Sequence, residues 1–292
     1  MNRESHLRRT LPAWLRLPDI SEFVLVDWST REPFDDLLAL DPRIRIVRAV
    51  DEPKWILAYA YNLGISHAKG DIILKCDADC MPNERVVALR PGPGRFYAGD
   101  WRTGTAHGKT CANGQCVFTR EQWEEVNGYS ELIRRYGFDD EDFYDRLKLA
   151  GHVRTGIDHS LLEFLHHSDG DRVVNNAQPA SDVSVEDFLN RQLHYPEAIN
   201  RLIAGMMPWG RWFTRAPYDS LSTDDRLTVV RRDLTREIPI APPLMQLARS
   251  QAIRLMANRL CKIPPATIAR MDDAACLAQL ARFAKSSAVQ AA

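Results

Sequence analysis

Blocks of apolar residues alternate with polar stretches along the first part of the chain. Short apolar runs that begin at Phe23, Ile44 and Ile72 have the length and the polar flanks of buried strands. The stretch 55–68 between the second and third runs carries large side chains at four-residue spacing, which is typical of a helix. Strands that alternate with helices predict an α/β fold with a mixed, mostly parallel sheet flanked by helices.

Further elements are predicted before and after these runs. An amphipathic helix over 7–15 precedes the first strand, whereas sheets of this kind normally open with a strand, so the pattern indicates that the first strand is missing. Thr119 is expected to cap a helix that stops at Asn127 and Gly128. The remaining predictions are a strand over 115–118, a helix over 139–150 and a strand over 163–165.

The composition changes near residue 175 and predicts a second part of the chain. Residues 175–182 resemble a linker, Ser184 is expected to cap a helix that runs towards Met206, and the residues after Pro242 have a helical pattern. We therefore divide the chain into an α/β domain over 1–175 and a mainly helical C-terminal extension over 183–292.

Composition and charge narrow the class of protein. A formal net charge of −1 over 292 residues argues against electrostatic binding of nucleic acid. No apolar run approaches the ~20 residues of a membrane span, and no apolar signal core follows the N-terminal arginines, which predicts a cytoplasmic protein. The six cysteines are expected to be reduced thiols. A zinc site built from Cys76, Cys80, Cys111 and Cys116 is the less favoured alternative.

The first candidate site is the pair Asp77 and Asp79, directly after the strand that begins at Ile72. Two carboxylates two positions apart at a strand end can face one ligand. Their oxygens suit Mg²⁺ or Mn²⁺, which reach substrate phosphates with few protein ligands. Taken alone, the pattern is explained equally well by a polar loop, and it also fits a phosphohydrolase with an aspartyl nucleophile.

The second candidate site is the acidic run 139–142 at the start of a predicted helix. The helix dipole favours acidic residues there, but four in a row exceed what capping needs. A carboxylate in this position can accept a proton from a hydroxyl group, and desolvation by Tyr136 and Phe138 is expected to raise its pKa. His166 and His167 follow the last predicted strand and are candidate ligands for a carboxylate-bound cation, although a histidine in such a place is more often structural.

Together these motifs resemble those of the inverting nucleotide-sugar glycosyltransferases of the GT-A fold, and the chain is similar to family 2 of these enzymes. Residues 77–79 resemble the DxD motif of that class, and Asp27 matches a strand-end aspartate that contacts the nucleotide base. Residues 113–130 and 136–142 are similar to the β-1,4-galactosyltransferases, in which a Trp-Gly-Gly-Glu-Asp segment corresponds to the second stretch. His167 with Ser168 resembles a His-Ser pair that supplies a late metal ligand.

The resemblance implies a role for each candidate residue. The nucleotide would be bound by Asp27 and Asp77, and the metal by Asp79 and Asp77 together with His167, for which His166 is the alternative. The general base would be Asp140, and Asp139 would orient the acceptor. The acceptor-binding group would be Tyr136, which would stack on the sugar, together with Phe138 and Asp142. Phe138 in place of a glycine and Asp139 in place of a glutamate depart from the family pattern.

The implied activity is transfer of a sugar, with inversion, from a nucleotide-sugar donor such as a UDP-sugar to a hydroxyl of a saccharide or glycolipid acceptor. Mn²⁺ or Mg²⁺ would be the cofactor, and surface polysaccharide or glycoconjugate synthesis the expected context. The alternatives are a degenerate domain that binds a sugar nucleotide or a partner without turnover, and the phosphohydrolase.

The extension allows two interpretations. Aromatic and basic residues over 206–215 and an excess of basic residues over 244–292 are compatible with peripheral contact at the inner face of a membrane. A helical cap packed on the catalytic domain is the favoured interpretation.

Overall fold

The structure, a computed structural model, describes residues 3–100, 102, 112–165 and 184–291. Its strands are β1 (Phe23–Trp28), β2 (Ile44–Val50), β3 (Ile72–Lys75), β4 (Cys80–Pro82), β5 (Arg95–Ala98), β6 (Cys116–Thr119), β7 (Val153–Gly156), β8 (Leu162–Phe164), β9 (Tyr218–Thr223) and β10 (Leu227–Arg232). Its α-helices are α1 (Glu4–Leu15), α2 (Leu57–His67), α3 (Glu84–Val87), α4 (Arg120–Glu125), α5 (Asp139–Leu149), α6 (Val185–Asn190), α7 (His194–Met206), α8 (Pro242–Cys261), α9 (Pro265–Ile268) and α10 (Asp273–Ala291).

The first sheet has the strand order β1-β2-β10-β9. β2 pairs in parallel with β1 and with β10, and β9 closes this sheet as an antiparallel strand. Alternate residues of β2, such as Ile44 and Ile46, are buried in a core that α1 covers with Leu7, Leu11 and Trp14. The alternation of β2 therefore fixes which face of the sheet packs against the helix.

The second sheet has the order β3-β6-β5-β7. β6 is antiparallel to β3 and to β5, whereas β5 and β7 are parallel. Its core contains Phe96, Phe118 and Phe143, which connects the sheet to α5. The α/β class is confirmed, with a mainly parallel first sheet and a mixed second sheet. β4 and β8 form a separate antiparallel pair.

Contacts divide the described chain into two units whose boundaries differ from 1–175 and 183–292. The first unit comprises 1–131, 139–167 and 209–237, and the second comprises 132–138, 168–208 and 238–292. Residues 209–237 belong to the first unit because β9 and β10 extend its first sheet. Residues 132–138 belong to the second unit.

The described part of the C-terminal extension is mainly helical outside β9 and β10, as the sequence predicts. Ser184 caps α6 by accepting a hydrogen bond from the backbone N–H of Asp187 at 3.1 Å, but the helix stops at Asn190 and a new one starts at His194. None of the helices in the described part of the chain has the length and apolar character that a membrane crossing requires. The described cysteines are free thiols.

Candidate active site

The candidate site begins at the end of β3, where the chain turns from apolar to charged. The burial of β3 alternates, and both Ile73 and Lys75 are buried. Lys75 thus occupies an inward position of a strand, where a charged side chain is stable only if it is paired. Its ammonium has carboxylate partners on both sides.

Lys75 connects the two acidic motifs that the sequence singles out. Its Nζ lies 3.0 Å from Oδ1 of Asp140 and 3.4 Å from Oδ1 of Asp77, and it donates to the carbonyl oxygen of Gly114 at 2.5 Å. The ammonium also lies 4.3 Å from the centre of the Tyr61 ring. Burial alone would lower the pKa of Lys75, but the carboxylates of Asp140 and Asp77 raise it well above its ordinary value. Lys75 is therefore a cation within the site.

The carboxylate of Asp77 is held by hydrogen bonds from two further side chains. The Tyr61 hydroxyl donates to Oδ1 at 2.6 Å, and the Gln115 side-chain amide donates to Oδ2 at 3.0 Å. The Gln115 side-chain oxygen in turn accepts the backbone N–H of Asp77 at 3.0 Å. A Cβ added at Gly114 would overlap Oδ2 of Asp77, so this close approach requires a glycine.

Asp139 and Asp140 lie in the first turn of α5 and are both buried. Burial raises the pKa of Asp140, and the Lys75 ammonium opposes that shift. Burial, followed by the repulsion of the Asp140 carboxylate, raises the pKa of Asp139 to about 7. Burial thus raises the pKa of both carboxyl groups, and the part that Tyr136 and Phe138 play in it stays a prediction. Lys75, which was not a predicted site residue, counteracts the shift at Asp140.

Asp27 lies in β1 and already has partners within the protein. Its Oδ1 accepts from the backbone N–H and the hydroxyl of Thr30, at 3.1 and 2.5 Å, and its Oδ2 accepts from Nε of Arg48 at 2.7 Å. The side chain is 1% exposed. A base bound by Asp27 would have to replace one of these donors, and the role in base recognition stays a prediction.

Asp79 is half-buried and directly precedes β4. Its backbone oxygen accepts from the N–H of Leu165 at 2.8 Å, which continues the pairing of β4 with β8. His166 and His167, the predicted further ligands, lie outside the described residues. Within the described ranges, no group of three or more His, Cys, Asp and Glu side chains is arranged to hold a metal ion. Carboxylate oxygens such as those of Asp79 suit a hard cation. The carboxylate of Asp77 is held by Lys75, Tyr61 and Gln115.

Asp142, predicted to bind the acceptor, is buried and forms an ion pair with Arg146. Nε of Arg146 donates to Oδ2 at 2.9 Å, while its Nη1 binds the carbonyl oxygens of Val126 and Gly128. The two residues lie four positions apart on one face of α5, and Arg146 connects this helix to the turn that follows α4. The role of Asp142 in acceptor binding stays a prediction.

Tyr136 and Phe138, the other predicted acceptor residues, lie in the second unit. The Tyr136 side chain is 38% exposed, as a residue that stacks on a sugar needs to be. Phe138 has a φ of 71°, and Gly137 before it has a φ of 86°. A non-glycine residue in the left-handed region is uncommon and marks a segment that its surroundings hold in place.

Four residues of the site were not predicted as site residues: Tyr61, Lys75, Gly114 and Gln115. The one signal available was the lysine at an inward position of the apolar strand Ile72–Lys75, because a buried charge implies a charged partner. The partners themselves are far away in sequence and only the fold identifies them.

Family models match both halves of this site. A model of glycosyl transferase family 2 matches residues 1–88, and a model described as the N-terminal domain of galactosyltransferase matches residues 101–168. Human and mouse beta-1,4-galactosyltransferase 7 are each 25% identical over 205 residues, covering 61% of this chain and 63% of each relative. The match thus spans less than two thirds of the length of these relatives.

Two crystal structures of Drosophila β-1,4-galactosyltransferase 7 also resemble the chain, each at 16% identity. One is the catalytic domain with xylobiose, with a TM-score of 0.44 over 77% of this chain and 99% of that one. The other is a mutant with manganese, UDP-Gal and xylobiose, with a TM-score of 0.46 over 77% and 98%.

The family models confirm the resemblance seen in the motifs. The first contains Asp77 and Asp79, and the second contains Asp139 and Asp140. The chain is therefore related to the glycosyltransferases of the GT-A fold. Within that class its relatives are the galactosyltransferases.

Proposed function

We propose that the protein is a metal-dependent, inverting glycosyltransferase that moves a sugar from a UDP-sugar to a saccharide hydroxyl. The observation that carries this proposal is the buried contact in which one ammonium, that of Lys75, lies 3.0 Å from Asp140 and 3.4 Å from Asp77. It brings the proposed base and the donor-binding motif together in one site. Galactose is the first donor sugar to test, because the curated relatives are named as galactosyltransferases.

The reaction uses Asp140 as the base. Its carboxylate takes the proton of the acceptor hydroxyl, whose oxygen attacks the anomeric carbon while the bond from that carbon to the diphosphate oxygen breaks. The Lys75 ammonium favours the ionised form of Asp140 despite burial, which is the form that accepts a proton. Asp139, with a pKa raised to about 7, is partly protonated near neutral pH and can donate a hydrogen bond that orients the acceptor.

The donor site would use the other motif. Asp79 would hold the divalent cation, with His167 as a further ligand, and the cation would supply positive charge that stabilises the departing nucleoside diphosphate. The backbone N–H of Leu165 donates to the backbone oxygen of Asp79, and His166 and His167 follow Leu165 directly in the sequence. This supports the choice of His167, with His166 as the alternative. Asp77 would orient the donor ribose from its fixed position between Tyr61 and Gln115.

The same contacts argue against an aspartyl phosphohydrolase. A nucleophilic carboxylate needs an oxygen that can reach phosphorus. Both oxygens of Asp77 accept hydrogen bonds, and one of them also faces Lys75. A phosphohydrolase reaction at Asp77 would also give the buried carboxylate of Asp140 no function.

The proposal extends to the acceptor and to the place in the cell where the reaction occurs. We propose that the acceptor is a saccharide or glycolipid of surface polysaccharide or glycoconjugate synthesis, reached in the cytoplasm at the inner face of the membrane. The net charge of +5 over residues 244–292, from seven Lys or Arg and two Asp or Glu, supports attraction to anionic lipid.

The proposal is tested with a panel of nucleotide-sugars and Mn²⁺, with and without saccharide acceptors, by measuring released nucleotide. We expect release from one UDP-sugar, stimulation by an acceptor and loss on chelation. Asp79→Asn should lower the release, whereas Asp71→Asn, at an exposed position before β3, should not. Hydrolysis of a simple phosphoester would favour the phosphohydrolase, and tight donor binding without turnover would favour the degenerate domain.

A further inference from the structure

The segment that carries Tyr136 and Phe138 is hydrogen-bonded to a helix of the C-terminal extension within the second unit. The Nδ2 atom of Asn200, in α7, lies within hydrogen-bond distance of three consecutive carbonyl oxygens: 2.9 Å from Arg135, 3.3 Å from Tyr136 and 2.7 Å from Gly137. Asn200 is 1% exposed. The amide has two N–H groups to share among these three carbonyl oxygens, and its own Oδ1 is buried without a hydrogen-bond partner. Its donors replace the water that the backbone carbonyls of a non-helical segment otherwise need.

The backbone that Asn200 binds is in an unfavourable conformation. Gly137 and Phe138 are consecutive residues with positive φ, of 86° and 71°, and only the first is a glycine. A strained conformation persists only where surrounding contacts hold it. Asn200 therefore stabilises a specific arrangement of this segment.

A second contact acts on the Phe138 side chain. The guanidinium of Arg201 lies 4.7 Å from the centre of the Phe138 ring, and its Nη2 lies 3.1 Å from Oε1 of Glu197. The Cβ of Glu197 would lie 3.3 Å from a Cβ added at Gly137, so α7 leaves little space for a side chain there. One face of α7 thus binds the backbone and the aromatic ring of the same short segment.

We infer that α7 is the platform of the acceptor subsite and that Asn200 is a positioning residue for acceptor binding. This inference rests on the proposed function and deepens it. Asn200 fixes the carbonyls before and at Gly137, so that Tyr136 is presented at one orientation to a sugar ring. Arg201 fixes the Phe138 ring beside it. α7 of the extension then belongs to the acceptor-binding apparatus.

The test compares steady-state kinetics of full-length variants. Asn200→Asp keeps the side-chain shape but directs carboxylate oxygens at three carbonyl oxygens, and Asn200→Ala removes the donor. We expect the KM for the acceptor to rise tenfold or more, while the KM for the donor and donor hydrolysis without acceptor stay within twofold of the wild type. Arg201→Ala should raise the acceptor KM about threefold.

Two controls separate positioning from a general loss of stability. Ile253→Ala removes buried packing from α8 in the same unit and offers no hydrogen bond to the segment, so it should lower stability without changing the acceptor KM. Arg201 is exposed, so Arg201→Ala tests the inference even if both Asn200 variants fail to fold.

An unchanged acceptor KM in a folded Asn200 variant, or in Arg201→Ala when the Asn200 variants do not fold, would overturn the inference. A parallel loss of donor hydrolysis would do the same. If the proposed function itself were wrong, the result would be distinguishable, because the wild-type protein would then turn over no donor. Amide hydrogen exchange at residues 135–138 would in that case still show whether Asn200 holds this segment.

Discussion

At the scale of single residues, Lys75 has the largest influence on the chemistry of the site. A buried ammonium between two carboxylates compensates charges that would otherwise repel each other. Because it favours the ionised form of Asp140, the base strength of that carboxylate depends on a side chain that touches no substrate in the proposed reaction.

We predict that Lys75→Met lowers kcat by about 10²-fold, because Asp140 then loses the cation that lowers its pKa, and a smaller fraction of this carboxylate is ionised. The matched control is Lys148→Met, at an exposed ion pair with Asp145 on α5, which should leave kcat unchanged. The measurement is kcat against pH, in which the activity of Lys75→Met should recover as the pH rises. An unchanged kcat in a folded Lys75→Met protein would show that Asp140 does not need this cation.

The acidic residues of the site were predictable from sequence, and their partners were not. Asp77, Asp79 and the run 139–142 stand out because carboxylates crowd where elements begin or end. Tyr61 and Gln115 are ordinary residues of a helix and of a loop, 16 and 38 positions from Asp77, and only the pairing of β3 with β6 places Gln115 beside it.

At the scale of elements, Glu131 joins a helix to a later segment of the first unit. Its Oε1 accepts from Nδ2 of Asn62 in α2 at 3.0 Å, and its Oε2 accepts from the backbone N–H of Ala216 at 2.6 Å. Burial raises the pKa of Glu131 to about 7, against the opposing effect of these donors.

This pKa predicts a stability that depends on pH. Since the folded-state value lies above the unfolded value, the contribution is complete below about pH 4.5 and is lost as the pH rises through about 7. The free energy of unfolding should therefore fall by about 3 kcal/mol across that window. In Glu131→Gln, the free energy of unfolding measured with urea should differ less between pH 5 and pH 8 than it does in the wild type. An equal difference in both proteins would assign the pH dependence to other carboxyl groups.

The elements that sequence predicts correctly are those with apolar runs or clear caps. β1, β2, β3 and β6 follow apolar runs, and Thr119 caps α4 as expected, in a capping box with Gln122. β9 was missed because its residues are almost all exposed and polar, and β10 alternates only weakly. β7 is as short as β3 and β6 but was missed because Arg154 and Thr155 interrupt its apolar residues. β5, also four residues long, was not predicted either.

At the scale of the whole molecule, a late segment of the chain completes the first unit. β10 pairs with β2 across about 180 residues of sequence, and Arg232 at its end forms a buried ion pair with Glu52. Nε and Nη2 of Arg232 lie 2.7 and 2.9 Å from the two carboxylate oxygens. A boundary drawn from composition at 175 could not include a strand that only its distant partner identifies.

We predict that Arg232→Met destabilises the protein by about 3–5 kcal/mol, because Glu52 is then buried without a partner. The neighbouring Arg231→Met is the matched control, because Arg231 and Asp51 form an exposed pair at 2.7 Å and should contribute less than about 1 kcal/mol. Urea unfolding of both variants gives the comparison. Equal free energies of unfolding for Arg232→Met and Arg231→Met would contradict the assignment of β10 to the core of the first unit.

The central claim is that Asp140 is the base of a sugar transfer, and one comparison tests it most directly. Asp140→Asn and Asp145→Asn change the same residue type on α5, one buried against Lys75 and one exposed in a pair with Lys148. With the donor and acceptor found in the panel, kcat of Asp140→Asn should fall by about 10²–10⁴-fold, while Asp145→Asn keeps the wild-type rate. A fall smaller than tenfold in a folded Asp140→Asn protein would contradict the claim and assign the base to another residue.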